Sequence, residues 1–124
     1  MAKLFPKEKL PHFHSTRDTR ERLDLVKAEA PGGATRMHAD RILYHPGDSA
    51  APHYHVGAHH LFYILQGEGL IYLDGKSQRL RAGMVAIVAP GEEHWFENDT
   101  QEDFSFVEFW TPPPSETVWT THDC

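Results

Sequence analysis

Cysteine is nearly absent: the one residue, Cys124, is the last of the 124. An internal disulfide is thereby excluded, which fits a reducing cytoplasm. No apolar run approaches the roughly 20 residues of a membrane span. The opening MAKLFPKEKLPHFH lacks the continuous apolar core of a secretory signal. Basic residues are missing from the C-terminal end. Residues 91–124 carry nine acids and no Lys or Arg, whereas residues 1–30 carry seven Lys/Arg and five Asp/Glu. With a net charge of −6, there is no basic stripe for nucleic acid. The acids Glu92, Glu93, Glu97, Asp99, Glu102 and Asp103 fit no oxygen-ligand loop and read as a solvated rim. No serine or cysteine sits in a nucleophile elbow, and no glycine-rich loop precedes a helix. Metal chemistry is the mechanism left in view.

Histidine is what the chain has. Gly47–Gly67, GDSAAPHYHVGAHHLFYILQG, holds four of the ten histidines, and Gly83–Asn98, GMVAIVAPGEEHWFEN, adds His94. Residues i and i+2 of a strand share a face, so His53 and His55 project together. His60 follows after a gap long enough for a turn and a returning strand, and His94 comes from a separate strand. Imidazoles converging from non-adjacent strands form a transition-metal site. Adjacent strand residues face opposite ways, so either His60 or His59 meets the metal, with His59 the choice if the register shifts by one. His60 in turn is either a fourth ligand or a close, unbound neighbour. His12, His14, His38, His45 and His122 fall outside both stretches and are not expected as ligands.

Strand signals recur through the chain. Thr35–Tyr44, Pro52–His55, His60–Leu65, Leu70–Leu73, Ser77–Arg81, Val85–Ala89, His94–Glu97 and Phe104–Thr111 read as strands, with Val85–Ala89 a buried one. Pro46-Gly47-Asp48, Asp74-Gly75 and Pro90-Gly91-Glu92 read as turns, Asp74-Gly75 as a hairpin. Residues 22–29 read as a further strand before Pro31-Gly32-Gly33. Short strands at such spacing predict an all-β sandwich or barrel. The expected division is an N-terminal arm over 1–30, a barrel over 31–112 closed by Pro112-Pro113-Pro114, and a tail over 113–124 with Trp119 docked on the body.

Alternation places Phe62 and Ile64 beside His60, and Phe96 and Asn98 beside His94. These four are the candidate lining of an apolar substrate pocket; core packing is an equal reading for the three apolar ones. Glu108 is the one acid within FSFVEFWT. Facing inward, it is a candidate general base or a partner for a histidine; facing outward, a surface charge. Both phases of that strand are apolar, so the pattern does not decide.

The two histidine stretches resemble the paired motifs of the cupin superfamily. In the first, G-x5-H-x-H-x4-E-x6-G, the residues Gly47, His53, His55 and Gly67 fall in register, and His60 stands where the family has glutamate. In the second, G-x5-P-x-G-x2-H-x3-N, Gly83, Gly91, His94 and Asn98 fall in register, with Ala89 at the proline position and Pro90 beside it. The resemblance implies a double-stranded β-helix, or jelly roll, with a metal inside, and a homodimer. All-imidazole ligands suit Fe(II), Ni or Zn and disfavour manganese. An ion whose charge its ligands leave uncompensated attracts anionic or enolate oxygens, so the expected partner is a small oxygen-chelating molecule. Three functions follow from the resemblance. The first is a dioxygenase of the β-diketone-cleaving kind. The second is a non-redox lyase, cyclase or isomerase, and the third a small-molecule-binding barrel with a structural metal.

Overall fold

The computed structural model describes residues 4, 6–14, 20–26, 38–111 and 116–120. Among these residues the chain is all-β, with one short 3-10 turn at Lys7–Lys9. Its strands are β1 (His12–His14), β2 (Glu21–Val26), β3 (His38–Tyr44), β4 (His53–Val56), β5 (His59–Gln66), β6 (Glu68–Leu73), β7 (Lys76–Arg81), β8 (Val85–Val88), β9 (His94–Glu97), β10 (Phe104–Thr111) and β11 (Glu116–Trp119). They form a six-stranded sheet, β1-β2-β3-β10-β5-β8, and a five-stranded sheet, β11-β4-β9-β6-β7. All the strand pairs are antiparallel, and the two sheets make a double-stranded β-helix.

The inner face of each long strand changes character along its length. In β3, Ile42 and Tyr44 are fully buried among apolar neighbours, while His38 and Asp40 occupy the other end of the strand. β10 repeats this with Phe104 and Phe106, then Glu108 and Trp110; β5 does so with Ile64 and Phe62, then His60. One end of the barrel is therefore an apolar core and the other a polar site. The core joins both sheets through aromatic rings, with Phe96 centred 4.7 Å from Phe62 and 4.6 Å from Phe106. Edge-to-face and tilted pairs of this kind add to plain area burial.

The hairpin expected at Asp74-Gly75 joins β6 to β7, with φ of 49° and 84° at the two residues. Positive φ at both central positions is the type I′ pattern that suits the right-handed twist of strands. Gly69 meets a different requirement. A Cβ there would lie 2.5 Å from the Phe104 ring, so the side chain is excluded by packing.

The burial of one strand differs from the sequence reading, and both ends of the chain contribute strands to the sheets. Val85–Ala89 was expected to be a buried strand, yet Val85 and Ile87 are 53% and 64% exposed. The cause is facing: β8 is the edge strand of its sheet, Val85 and Ile87 alternate onto its outer face, and Val88 on the inner face is buried. Within the expected arm, β1 and β2 extend the six-stranded sheet through β3. Within the expected tail, β11 pairs along β4. Residues 27–37, including Pro31-Gly32-Gly33, lie outside the described residues.

Candidate metal centre

His53 and His55 lie on β4, and His94 on β9 is the cross-strand partner of His53. Direct opposition brings the His53 and His94 ring centres to 4.4 Å, and His55 stands 4.9 Å from His53 and 5.4 Å from His94. One ligand atom from each lies within 4.8 Å of the others, and all three side chains are buried. The other ring nitrogen of each is engaged. His53 Nδ1 donates to the Ala51 carbonyl at 2.8 Å, His94 Nδ1 donates to the Glu92 carbonyl at 3.0 Å, and His55 Nδ1 hydrogen-bonds with the Thr117 hydroxyl at 2.9 Å. A carbonyl only accepts, so on His53 and His94 the proton is fixed on Nδ1 and the lone pair falls on Nε2. Nε2 of His55 and of His94 is buried and has no hydrogen-bond partner. Leaving such atoms unpaired costs about 1–3 kcal/mol each, and a bound ion removes that cost. The donor set therefore fits a divalent transition metal.

Electrostatics point the same way. Burial pushes the His53 imidazole down to about 2, with the neighbouring His94 adding to it. Burial, then His60 and His94, lower His55 to about 3. Burial also lowers His60 and His94. Neutral imidazole is the ligating form, so the site holds it ready over the whole physiological range.

The register settles which of two adjacent histidines turns inward. His60 is 2% exposed, while His59 is exposed on the outer face of β5. His60 lies 4.8 Å from His55 and 5.3 Å from His94 by ring centres. It stands outside the compact three-histidine set, and its Nε2 donates to Glu108 Oε1 at 3.2 Å. Glu108 is thus inward and 4% exposed.

Glu108 belongs to a row of acids that the sequence pattern did not reveal. Across the sheet Asp24 pairs in register with Asp40, and Asp40 with Glu108. All three are buried. Asp24 Oδ1 forms an ion pair with Arg22, 2.8 Å from its Nε, and Asp40 Oδ2 faces His38 Nε2 at 3.5 Å. Asp40 and Glu108 face each other in register, and each carboxylate charge disfavours the other. Burial, reinforced by Glu108 and opposed by His38, pushes Asp40 up to about 7. Burial likewise raises Glu108, against the pull of Arg20. A carboxyl that keeps its proton near neutral pH has the property expected of a site acid.

A cavity of about 160 Å³ opens beside these groups, lined by Arg20, Arg22, His38, Asp40, His53, His55, Glu108, Trp110, Thr117 and Trp119. Phe62, Ile64 and Phe96, candidates for such a lining in the sequence, lie instead in the apolar core. Asn98 is fully buried, and its Nδ2 donates to the Tyr44 and Glu102 carbonyls at 3.0 and 2.7 Å. The physical reason is depth: these residues share the histidines' face but sit one or two positions further into the closed end. His45 lies away from the cavity, with its Nδ1 on Asp103 at 3.0 Å and its Nε2 on Glu21. The lining residues that sequence reasoning missed come from β2, β3 and β11. Alternation on β3 hinted at Asp40, which lies in phase with Ile42 and Tyr44.

Comparison with known proteins gives a consistent picture. The profile of the cupin domain family matches residues 40–110. An oxalate-binding protein of Thermotoga maritima is 32% identical over 100 residues, covering 81% of this chain and 82% of that protein. Among solved structures, one described as a predicted oxalate decarboxylase, from Thermotoga maritima, superposes with a TM-score of 0.76 at 25% identity, covering 90% of this chain and 100% of that one. A polyketide cyclase of Streptomyces resistomycificus gives 0.84 at 19% identity, covering 99% and 88% of the two chains. A sugar phosphate isomerase of Silicibacter pomeroyi gives 0.79 at 19% identity, with 98% and 83% covered. The last two speak for the fold alone.

Proposed function

Because this chain belongs to the cupin family, we propose that it holds a divalent transition metal on His53, His55 and His94 and binds a small oxygen-chelating anion of the oxalate kind, on which it performs non-redox proton-transfer chemistry as a lyase, decarboxylase or isomerase. The observation that carries this is the meeting of neutral, buried imidazoles with two buried carboxyls paired in register, Asp40 and Glu108, at one small cavity. A bound divalent ion polarises a ligand oxygen. His53, His55 and His94 supply lone pairs, with Ala51, Thr117 and Glu92 fixing their rings. His60 stands beside them with Nε2 turned to Glu108, so the three-histidine form is the one supported. Asp40, with its carboxyl pushed up to about 7 by burial, keeps a proton available to a ligand carbon or oxygen, and Glu108 stands beside it in register. Trp110 and Trp119 wall the cavity and limit water.

The relatives back this reading better than a β-diketone dioxygenase: one is an oxalate-binding protein and one is described as a predicted oxalate decarboxylase. Iron, nickel and zinc all suit the imidazole set. The test is elemental analysis of protein purified without added metal, beside His53→Ala, followed by anaerobic titration with oxalate. Near-stoichiometric metal lost in the variant, with oxalate bound without oxygen, supports the proposal. Oxygen consumption with acetylacetone would restore the oxygenase, and absence of metal after reconstitution would remove the central claim.

A further inference from the structure

The six-stranded sheet borders a second cavity, on the face turned away from the histidines. Along β3, Asp40 and Ile42 are buried on the inner face, so Arg41 and Leu43 alternate onto the outer one. Leu23 of β2 lies directly across from Arg41, and Glu21 directly across from Leu43. The 3-10 turn at Lys7–Lys9 and the following Leu10 form the facing wall, and the space between is about 600 Å³. That lies within the roughly 300–1,000 Å³ of small-molecule sites. Leu10, Leu23 and Leu43 make part of the lining apolar. Its charged groups are matched, with one exception. Lys7 and Glu8 are exposed on the turn and bring one charge of each sign. Both Glu21 oxygens are engaged: Oε1 lies 3.0 Å from His12 Nε2, and Oε2 meets His45 Nε2. Asp103 and Glu21, on either side of His45, hold that imidazole above its ordinary value, which favours its charged form opposite Glu21. Arg41 is the exception. Among the described residues its side chain has no hydrogen-bond or ion-pair partner, and its Nε is buried. A buried N–H of a charged group calls for an acceptor, and a guanidinium donates two parallel hydrogen bonds to a carboxylate.

We propose that this outer cavity binds an amphipathic monocarboxylate, its carboxylate on the Arg41 guanidinium and its alkyl or aromatic body against Leu10, Leu23 and Leu43. The carboxylate supplies the acceptor that the buried Nε lacks, and the body removes leucine surface from water. Arg41 and the imidazoles lie on opposite sides of the six-stranded sheet, so a ligand here needs no metal. Short acids lack the body and alcohols lack the charge, and each binds weakly.

The test titrates octanoate, octanol and acetate into wild type, Arg41→Gln, Arg41→Lys and His53→Ala, following backbone amide NMR shifts, with the melting temperature of each protein as a check on folding. The expected result is that octanoate moves the amides around Leu10, Leu23 and Arg41. Its affinity falls at least about 10-fold in Arg41→Gln, the loss of a hydrogen bond to a charged group. Arg41→Lys recovers part of it, His53→Ala leaves it unchanged, and octanol and acetate bind weakly throughout. Equal octanoate affinity in wild type and Arg41→Gln overturns the proposal, and so does octanol binding as tightly as octanoate. Shifts confined to the amides of His53, His55 and His94, or lost in His53→Ala, assign the acid to the metal centre and overturn it too. Should Arg41→Gln fail to fold, the wild-type shift map and Arg41→Lys decide. A wild type that binds no octanoate up to about 5 mM removes the site, and self-association through the Arg41 face in that case gives the cavity to a second copy of the chain.

Discussion

A histidine becomes a ligand when its second nitrogen is already committed, and here three are. His53→Ala removes a lone pair from the compact set and should leave the purified protein with less than a tenth of its metal, read by elemental analysis. His60→Ala leaves that set whole, so metal should stay near stoichiometric while the Glu108 contact is lost. A fourth-ligand role would show as equal loss in both. Asp40 offers a second test at this scale. Its carboxyl is held at about 7, above the 3.8 of a free aspartate, so the folded form keeps a proton that the unfolded form releases. Its stabilising share is full below that lower value and disappears as pH rises through 7. Asp40→Asn cannot titrate. Its stability minus that of wild type should therefore climb between about pH 4 and 7 and level off above, as measured by urea unfolding at several pH values. The clustering of His53 with His55 was legible because i, i+2 spacing on a strand is a strong geometric statement. Asp40, His38 and Arg20 were not, because a single polar residue on a strand declares its facing only when neighbours in its phase are uniformly apolar. Glu108 shows the limit: Val107 and Phe109 are as apolar as Phe106 and Trp110, and only pairing with Asp40 and Phe62 turns it inward.

Strands past the ends of the recognisable motifs complete the site. β11 brings Thr117 to His55 and Trp119 to within 4.8 Å of His53 by ring centres. Thr117→Val keeps the shape and removes the hydroxyl. Metal affinity should fall about 10–100-fold, the usual effect of losing the group that orients a ligating imidazole, and competition with a chelator would measure it. Gly69 on β6 tests the closed end. Gly69→Ala drives a methyl into the Phe104 ring and should cost about 1–3 kcal/mol by overpacking, seen as a lower urea midpoint with metal content intact. Most strands were legible from turn residues and alternation, since Asp74-Gly75 or Pro90-Gly91 leaves the chain few options. β11 was hidden behind three prolines, and the exposure of β8 was misread because VAIV reads the same at an edge as in a centre. An apolar run states that a strand can be buried, and only sheet order states whether it is.

At the scale of the molecule, the histidine cluster makes the metal-free protein sensitive to acid. Four imidazoles held below their ordinary value stay neutral when folded and take protons on unfolding. Their contribution is present above about pH 6.5 and is lost as pH falls toward 2–3. Asp40 works in the opposite sense over part of that window, for about one proton. The net expectation is that unfolding takes up roughly two to three protons just below pH 6, giving a steep fall of stability. Urea unfolding across pH 5–8 tests this, and an excess of zinc should raise the midpoint at pH 7. The outer face of β5 and β8 exposes Tyr63, Leu65, Val85 and Ile87. A second copy of the chain is the proposed cover for that face, with light scattering as its measurement.

The imidazoles proposed to hold an ion come from β4 and β9 in one sheet, while Glu108, Asp40 and Arg20 come from the strands of the other or lead into them. Grip and reactivity are thus written on separate plates of the sandwich. Exchanges on β3 and β10 can retune which proton moves, and toward which ligand, while the grip on the ion is left as it was. Drift on those two strands is a route by which one scaffold acquires new chemistry without first surrendering its ion.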